Sequence, residues 1–543
     1  MPARQEDPFE IVRRLTEVGV ALSAERDNAR LLELILESAR AFTHADGGTL
    51  YLSNERGELD FEIMLTDSLG IRLGGTSGAA VELPPIALFR PDGEPNVRMV
   101  AARAATSGET VNIADAYAAE DFDFSGTREF DGRTGYRSKS FLTVPMRDHQ
   151  DEIIGVLQLI NALHPETGEV VAFSEGDQQL AESLASQAAI ALSNKRLIDG
   201  QRRLFEAFIE LIAGAIDDKS PYTGGHCRRV PELTMMLADS AARVSHGPLA
   251  GFEMDESDRY ELKIAGWLHD CGKVTTPEYV VDKSTKLETI YDRIGEVDLR
   301  FEVLKRDAEL EGLRARLAAL EAGAEPPPCD RAELEGHRQE LDGEREFLRR
   351  CNIGGEFMWE ADQERVRSIG RREWRDPSGA RRRLLDEDEV KNLTIAKGTL
   401  TAEEREVINH HIVATIKMLE SLPYPKHLER VPEFAGGHHE RMDGKGYPRG
   451  LTRDQMSVQA RVMGIADIFE ALTAADRPYK KAMPLSVALE ILGRMKEDSH
   501  IDPDLFDVFV REKVYLEYAR SFLDPEQIDE VDESRIPGYS GAF

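Results

Sequence analysis

The chain contains 13 histidines, and several stand beside one another or beside carboxylates. TGGHCRRV supplies His226, and GWLHDCGK supplies His269, Asp270 and Lys273. NHHIVAT supplies His410 and His411. GGHHERMDGKGYPRG supplies His438, His439, Glu440 and Asp443, and ADIFEALTAADRPYKK supplies Asp467, Arg477, Lys480 and Lys481. One His-Asp pair arises by chance. Doublets carry more information, because adjacent residues on a helix project about 100° apart. His269 with Asp270, and His438 with His439, are therefore able to address two cations, or a cation and a substrate. A carboxylate between two cations bridges them. A set rich in imidazole and poor in carboxylate suits Fe, Mn or Zn, not Ca²⁺. Such ions lower the pKa of bound water from ~15.7 to about 7, which fits hydrolysis of an anionic ester.

These residues fall in two mostly helical stretches, 205–285 and 396–515. The chain between them must fold out of the way. There, Leu310, Leu313, Leu317 and Leu320 mark one helix, Pro326, Pro327 and Pro328 stop it, and Leu334, Leu341 and Leu348 mark another. The spacing predicts an antiparallel helical hairpin inside an insertion over 286–395. An acidic tail over 516–543 is expected to be loosely held. Upstream, 176–216 reads as a connector helix. Ile190, Leu197, Leu204 and Leu211 recur every seven residues, with Phe208 four after Leu204. A seven-residue seam suits a parallel coiled coil and a homodimer. A core-facing amphipathic helix is the alternative, since Asn194 and Gln201 interrupt the seam. Residues 1–195 open with helical spacing (Ile11, Leu15, Val18, then Leu31, Leu34, Ile35). Strands are predicted at 47–54, 61–66, 140–148 and 152–162, giving a sheet with packed helices.

With HDCGK (269–273), HHERMDGKGYP (438–448) and ADRPYKK (475–481), the stretch from His226 to about Lys481 resembles an HD-GYP domain, a branch of the HD metal-dependent phosphohydrolases. The resemblance implies an all-α catalytic domain over 205–515. It implies hydrolysis of a cyclic dinucleotide, above all cyclic di-GMP, to linear pGpG, with GMP as the product of a further step. Some members prefer cyclic GMP-AMP. His226, His269, Asp270 and Asp467 match the ligands of one metal. Asp270 would bridge to a second held by His411, His438 and His439, with His410 the register alternative to His411. Asp270 and Lys273 are the catalytic candidates, Lys273 acting on the phosphate or the leaving group. Arg477 and Lys480 match phosphate-holding residues. Gly444, Gly446, Tyr447 and Pro448 form the GYP loop, where Tyr447 either touches a base or serves shape alone. Two positions depart from the pattern. Tyr222 replaces the Glu of three-metal members, so two divalent transition-metal ions are expected, Fe or Mn. Ser220 replaces an Asp, and Asp217 and Asp218 lie in another register. A weakly hydrolysing cyclic-dinucleotide receptor or protein-interaction module, and a phosphohydrolase acting on another nucleotide, are the alternative functions.

The stretch before the connector, with DFSGTREFDGRTGYRSKSFLTVPMRD and EIIGVLQLIN, resembles a GAF sensory domain. Asn161, Phe173 and Asp177 match the cyclic-nucleotide-binding pattern, whereas Ala162 and Gln178 replace its Lys and Glu. The first cysteine is Cys227, which argues against a covalent bilin. His44, His149 and His164 are the available haem ligands but read as surface residues. The GAF ligand is therefore unknown, or there is none. Lys plus Arg total 68 against 100 Asp plus Glu, a net charge of −32 that disfavours nucleic-acid polymers and anionic membranes as partners. No apolar run approaches ~20 residues, and four sparse cysteines fit a cytoplasmic protein. The expected fold class is multidomain: an N-terminal α/β GAF-like domain (antiparallel sheet with helices), a connector helix, and a C-terminal all-α HD-GYP domain with a helical-hairpin insertion.

Overall fold

The computed structural model describes residues 8–219, 225–326, 331–355, 357–475 and 483–541. It divides into two compact units, Met1–Phe205 and Glu206–Phe543. The first unit is laid out in the order α1 (Pro8–Ala24), α2 (Asn28–Thr43), β1 (Ala45–Ser53), β2 (Glu58–Thr66), β3 (Ile71–Gly74), β4 (Ile86–Ala87), α3 (Val100–Ser107), β5 (Val111–Ile113), α4 (Ser125–Thr134), β6 (Phe141–Arg147), β7 (Ile153–Leu163) and β8 (Val170–Val171). The antiparallel sheet runs β3-β2-β1-β7-β6-β5, with β4 beside β2 and β8 beside β7. Its central pairing joins distant parts of the chain, setting Leu50 opposite Leu157 and Tyr51 opposite Val156. Successive strand residues point to opposite faces. Leu50 and Leu157 accordingly enter the core with Leu36 and Leu184, while Tyr51 and Val156 pack with Ala101 and Ala104 of α3. The four predicted strands are present within two or three residues of their expected ends. The short strands β3, β4, β5 and β8 carry too few residues to show an alternation.

The helix α5 (Glu175–Lys219) begins in the first unit and ends in the second. Ile190, Leu197, Leu204, Phe208 and Leu211 are 54–68% exposed, so this seam is not core-facing. The second unit follows with α6 (His226–Ala242), α7 (Glu256–Leu268), α8 (Glu278–Val281), α9 (Ile294–Glu321), α10 (Arg331–Ile353), α11 (Glu360–Gly370), β9 (Glu373–Arg375), β10 (Arg381–Arg383), α12 (Glu387–Leu393), α13 (Ala402–Glu420), α14 (Val431–Gly436), α15 (Val458–Thr473), α16 (Leu485–Glu497), α17 (Pro503–Arg511) and α18 (Val514–Phe522). Its main core joins α6, α7 and α14 to α18 through residues such as Leu233, Ile264, Phe434, Phe469 and Phe509.

In the insertion, ion pairs Lys305–Asp342, Glu302–Arg345 and Asp298–Arg349 climb α9 as they descend α10, so the two helices are antiparallel. The insertion holds more than that hairpin. It adds α11, the β9–β10 pair and α12 around a separate core of Phe301, Phe347, Leu348, Val366, Ile369 and Leu384. The leucine row at 310, 313, 317 and 320 remains exposed, so the pattern that announced the first helix is not what packs it. The two short strands also make the second unit slightly less than all-α. The acidic tail differs from expectation as well. Tyr518 of α18 is fully buried, Ile536 is buried, and Gln527 donates to the carbonyls of Thr473 and Met483. An acidic composition misled here because a few apolar and amide side chains anchor the segment.

The turn over 271–275, just after Asp270, packs backbone against α13. The Gly272 N–H donates to Thr415 Oγ1 at 2.9 Å, and a Cβ on Gly272 would stand 2.0 Å from the His411 carbonyl oxygen. No side chain fits this contact, so the turn and α13 approach as closely as two backbones allow. Gly272→Ala is expected to destabilise the second unit by ~1–3 kcal/mol, read as a lowered midpoint in thermal unfolding followed by circular dichroism. An unchanged midpoint would contradict the contact.

Candidate metal centre

Helix caps fix the elements that carry the clustered side chains. Asp255 with Asp258 caps α7, Thr401 with Glu404 caps α13, and Ser457 caps α15. His226 is the first residue of α6, and His411 and Asp467 lie within α13 and α15. The doublets do not lie inside helices. His269 and Asp270 follow the end of α7, and His438 and His439 follow the end of α14. Helix ends leave carbonyls without intrahelical partners, and the site uses them. His269 Nδ1 lies 2.7 Å from the Gly266 oxygen and His438 Nδ1 lies 2.6 Å from the Ala435 oxygen. His411 Nδ1 repeats the contact with Ile408, at 2.5 Å. A carbonyl only accepts, so Nδ1 carries the hydrogen in all three rings and Nε2 is left to face inward.

Inward there are two groups whose ligand atoms lie within 4.8 Å of one another: His226, His269, Asp270 and Asp467, and His411, His438 and His439. Asp270 touches both. Its Oδ2 lies 3.2 Å from His226 Nε2 and from His269 Nε2, while its Oδ1 lies 3.2 Å from His411 Nε2. Asp467 Oδ1 stands 3.3 Å from His226 Nε2. Two Nε2 atoms face each other at 3.3 Å (His226, His269) and two more at 3.1 Å (His411, His439). With Nδ1 of His226 and of His269 both turned to acceptors, their neutral rings set lone pair against lone pair, which is unfavourable, whereas His439 meets His411 as a hydrogen bond when it carries its hydrogen on Nε2. Among the described residues, buried Asp270 Oδ1 and His438 Nε2 have no hydrogen-bond partner. A cation in each group would satisfy these atoms together, and the donor set of imidazoles and carboxylates suits a transition metal. The residues therefore fit metal ions.

Charge follows the same division. Burial pushes the Asp270 and Asp467 carboxyls up, but Lys273 with the facing histidines at Asp270, and the facing histidines at Asp467, outweigh it and hold both well below the usual range. Burial also opposes charge on His269, yet Asp270 and Asp467 raise it to about 9. A bound cation displaces such protons. In the other group burial and a neighbouring imidazole push His438 down to about 4, and His439 also falls well below its ordinary value. These rings are neutral at pH 7, as metal ligands must be.

Lys273 Nζ lies 2.6 Å from Asp270 Oδ2. Lys219, at the end of α5, donates to the carbonyls of Lys273, Val274 and Thr276 at 3.0, 2.6 and 2.6 Å, bracing the same turn. His411 is buried and His410 is exposed. Tyr447 stacks on His439, ring centroids 4.9 Å apart, and lines a cleft of about 490 Å³ with Arg441, Lys445, Asp467 and His500. Asp217 accepts from the Cys227 N–H and belongs to neither group. Arg477, Lys480, Lys481, Ser220 and Tyr222 lie outside the described residues.

Two buried acids have contacts that the sequence reading assigned to neither of them. Glu440 accepts from the N–H groups of Arg449 and Leu451 at 2.8 and 2.9 Å, closing the loop that carries Tyr447. Glu470 holds His226 by Nδ1 and is itself gripped by Arg229 at 2.6 Å. Its position three residues after Asp467 on one helix face was the available signal. Glu470→Gln is expected to weaken retention of a divalent transition metal by about 10- to 100-fold, measured by competition with a chromogenic chelator. Retention within twofold of the parent chain would remove Glu470 from this role.

Among known families, the HD domain matches residues 223–342 and, in a second description, 388–505. The unmatched 343–387 lie inside the insertion. The GAF domain matches 27–192. The 3′3′-cGAMP-specific phosphodiesterase 3 of Vibrio cholerae is 42% identical over 120 residues, 22% of this chain and 25% of that protein. The 3′3′-cGAMP-specific phosphodiesterase 1 of the same organism is 46% identical over 81 residues, 15% of this chain and 19% of that protein. A cyclic di-GMP phosphodiesterase of Thermotoga maritima is 31% identical over 119 residues, 22% of this chain and 32% of that protein. The chain thus spans less than a third of the length of each of these relatives. The matched regions thus set a GAF domain before an HD domain along the chain.

Proposed function

We propose that this protein is a phosphodiesterase that opens a cyclic dinucleotide, cyclic di-GMP first among them, to linear pGpG under control of its GAF domain. The observation that carries the reading is Asp270, whose two carboxylate oxygens face different histidine groups. In this reading two divalent ions, Fe or Mn, are held by His226, His269, Asp270 and Asp467 and by Asp270, His411, His438 and His439. When bound they supply an activated water and positive charge against the phosphate.

The rest falls to the chain. Lys273 holds an ammonium beside Asp270, where it offsets charge growing on the phosphate or delivers a proton to the departing ribose 3′ oxygen. Arg477 and Lys480 grip the second phosphate, and Tyr447 supplies an aromatic face beside His439 for a base. The almost complete burial of His269, His438 and Asp270 keeps competing water from their inner faces. Cyclic GMP-AMP is the second reading, favoured by the names of the two Vibrio relatives.

Control is assigned to α5, which leaves the GAF domain and ends with Lys219 on the turn after Asp270. The exposed stripe Ile190, Leu197, Leu204 and Leu211 is assigned to a second copy of the chain, because its seven-residue period matches a parallel two-helix seam. Among the described residues no helix is long and apolar enough to cross a membrane, and a cytoplasmic location completes the proposal.

Metal-loaded full-length protein is expected to convert cyclic di-GMP to pGpG, with 3′3′-cGAMP as the competing substrate, as followed by chromatography. Asp270→Ala is expected to lower turnover by on the order of 10³-fold and to lower metal content from about two ions per chain. Normal turnover with metal retained would overturn the assignment. Leu204→Glu combined with Leu211→Glu is expected to halve the particle mass in light scattering, and an unchanged mass would exclude the seam as the dimer contact.

A further inference from the structure

The insertion contains a cavity of about 670 Å³ between α9, α11, α12 and the β9–β10 pair. Arg300, Arg367, Arg371, Trp374, Arg382 and Arg383 line it. Five guanidinium groups around one indole outnumber the two lining carboxylates, Asp386 and Glu387, and make the cavity locally cationic in a chain of net charge −32.

These arginines are not equivalent. Arg300 is fixed: it binds buried Glu389 through both Nη atoms, at 2.6 and 2.9 Å, and stands 5.8 Å from the Trp374 ring centre. It thus sets the floor and holds the indole. Trp374 is the cross-strand partner of Arg382. Arg367, Arg371 and Arg382 pair at the surface, two with exposed Glu364 and one with half-buried Asp376, each at 3.2 Å, with the arginine side chains 41–69% exposed. Exposed pairs are worth ~0–1 kcal/mol, so exchanging them for a stronger anion costs little. Arg383 has no carboxylate partner within 4.0 Å among the described residues. Asp386, also on the lining, is engaged in capping α12 through the Glu389 N–H.

We propose that this cavity is a second binding site, separate from the metal centre, for a nucleotide: phosphates on the arginine forks and a base against Trp374. Guanidinium forks match phosphate oxygens two at a time, and an indole flanked by guanidinium groups suits a nucleobase face. The cavity falls in the ~300–1,000 Å³ range of small-molecule sites, which favours a single nucleotide over a polymer.

The test is calorimetric titration of full-length protein with ATP and with GTP at low salt. Saturable binding is expected. Arg371→Ala combined with Arg383→Ala should weaken it at least tenfold and leave thermal unfolding unchanged, because both side chains are exposed. Trp374→Leu should weaken it about threefold or more, whereas Asp270→Ala should leave it unchanged. No saturable binding, equal binding by the arginine variant, or loss of binding in Asp270→Ala overturns the proposal. Inorganic pyrophosphate competing as strongly as the nucleotide overturns the role of Trp374. Cyclic-dinucleotide turnover of the arginine variant is measured in parallel, so a failure of the phosphodiesterase reading is seen separately.

Discussion

A carboxylate buried in protein costs several kcal/mol unless positive charge or hydrogen bonds compensate it. Asp270 is 1% exposed, and compensation reaches it from α6, from the end of α7, from the following turn and from α13. The second unit is arranged so that these elements meet at one side chain. Four of the five imidazoles are held by the outer nitrogen, three by a carbonyl three residues earlier and His226 by Glu470. The inner nitrogens are thereby committed before any cation arrives. That preorganisation is what a cluster of metal ligands requires.

The same constraint explains the tolerance of a large insertion. Asp270 and His411 are distant in sequence, yet the Gly272 turn meets α13 backbone to backbone. Residues between them must leave and return without disturbing that contact. They do so by building a core of their own around Phe301, Phe347 and Leu384, tied back by buried Lys283 to Glu404 and by Lys286 to the carbonyls of Leu393 and Ile395. Glu404 belongs to the cap of α13, so the base of the insertion and the start of the His411 helix share one ion pair.

The net charge acts in the same way throughout. With 100 acidic side chains, the chain repels anions at long range, and any anionic ligand must find a place where the field is locally reversed. The arginines around Trp374 offer one such place, and cations held in the two histidine groups beside Lys273 would supply another. In the first unit the apolar sheet faces are covered by α2 and α5 on one side and α3 on the other. The long helix then departs with an uncovered apolar stripe.

Much of this was legible in the residue order. The four long strands read as short apolar runs bounded by polar turns, and the leucine rows of the hairpin keep a helical period. His226, the 269–270 and 438–439 doublets and Asp467 stood out because their types are scarce and adjacent. Other features had no local signature. The choice of His411 over His410, the grip of Glu470 on His226, the closing of the Tyr447 loop by Glu440 and the packing of the acidic tail all depend on groups that meet only after folding. Residue order determined which side chains are available for chemistry. The tertiary structure decided which of them share a ligand and which nitrogen each ring turns inward, because those are distances between helices, and no spacing along one helix encodes the position of another.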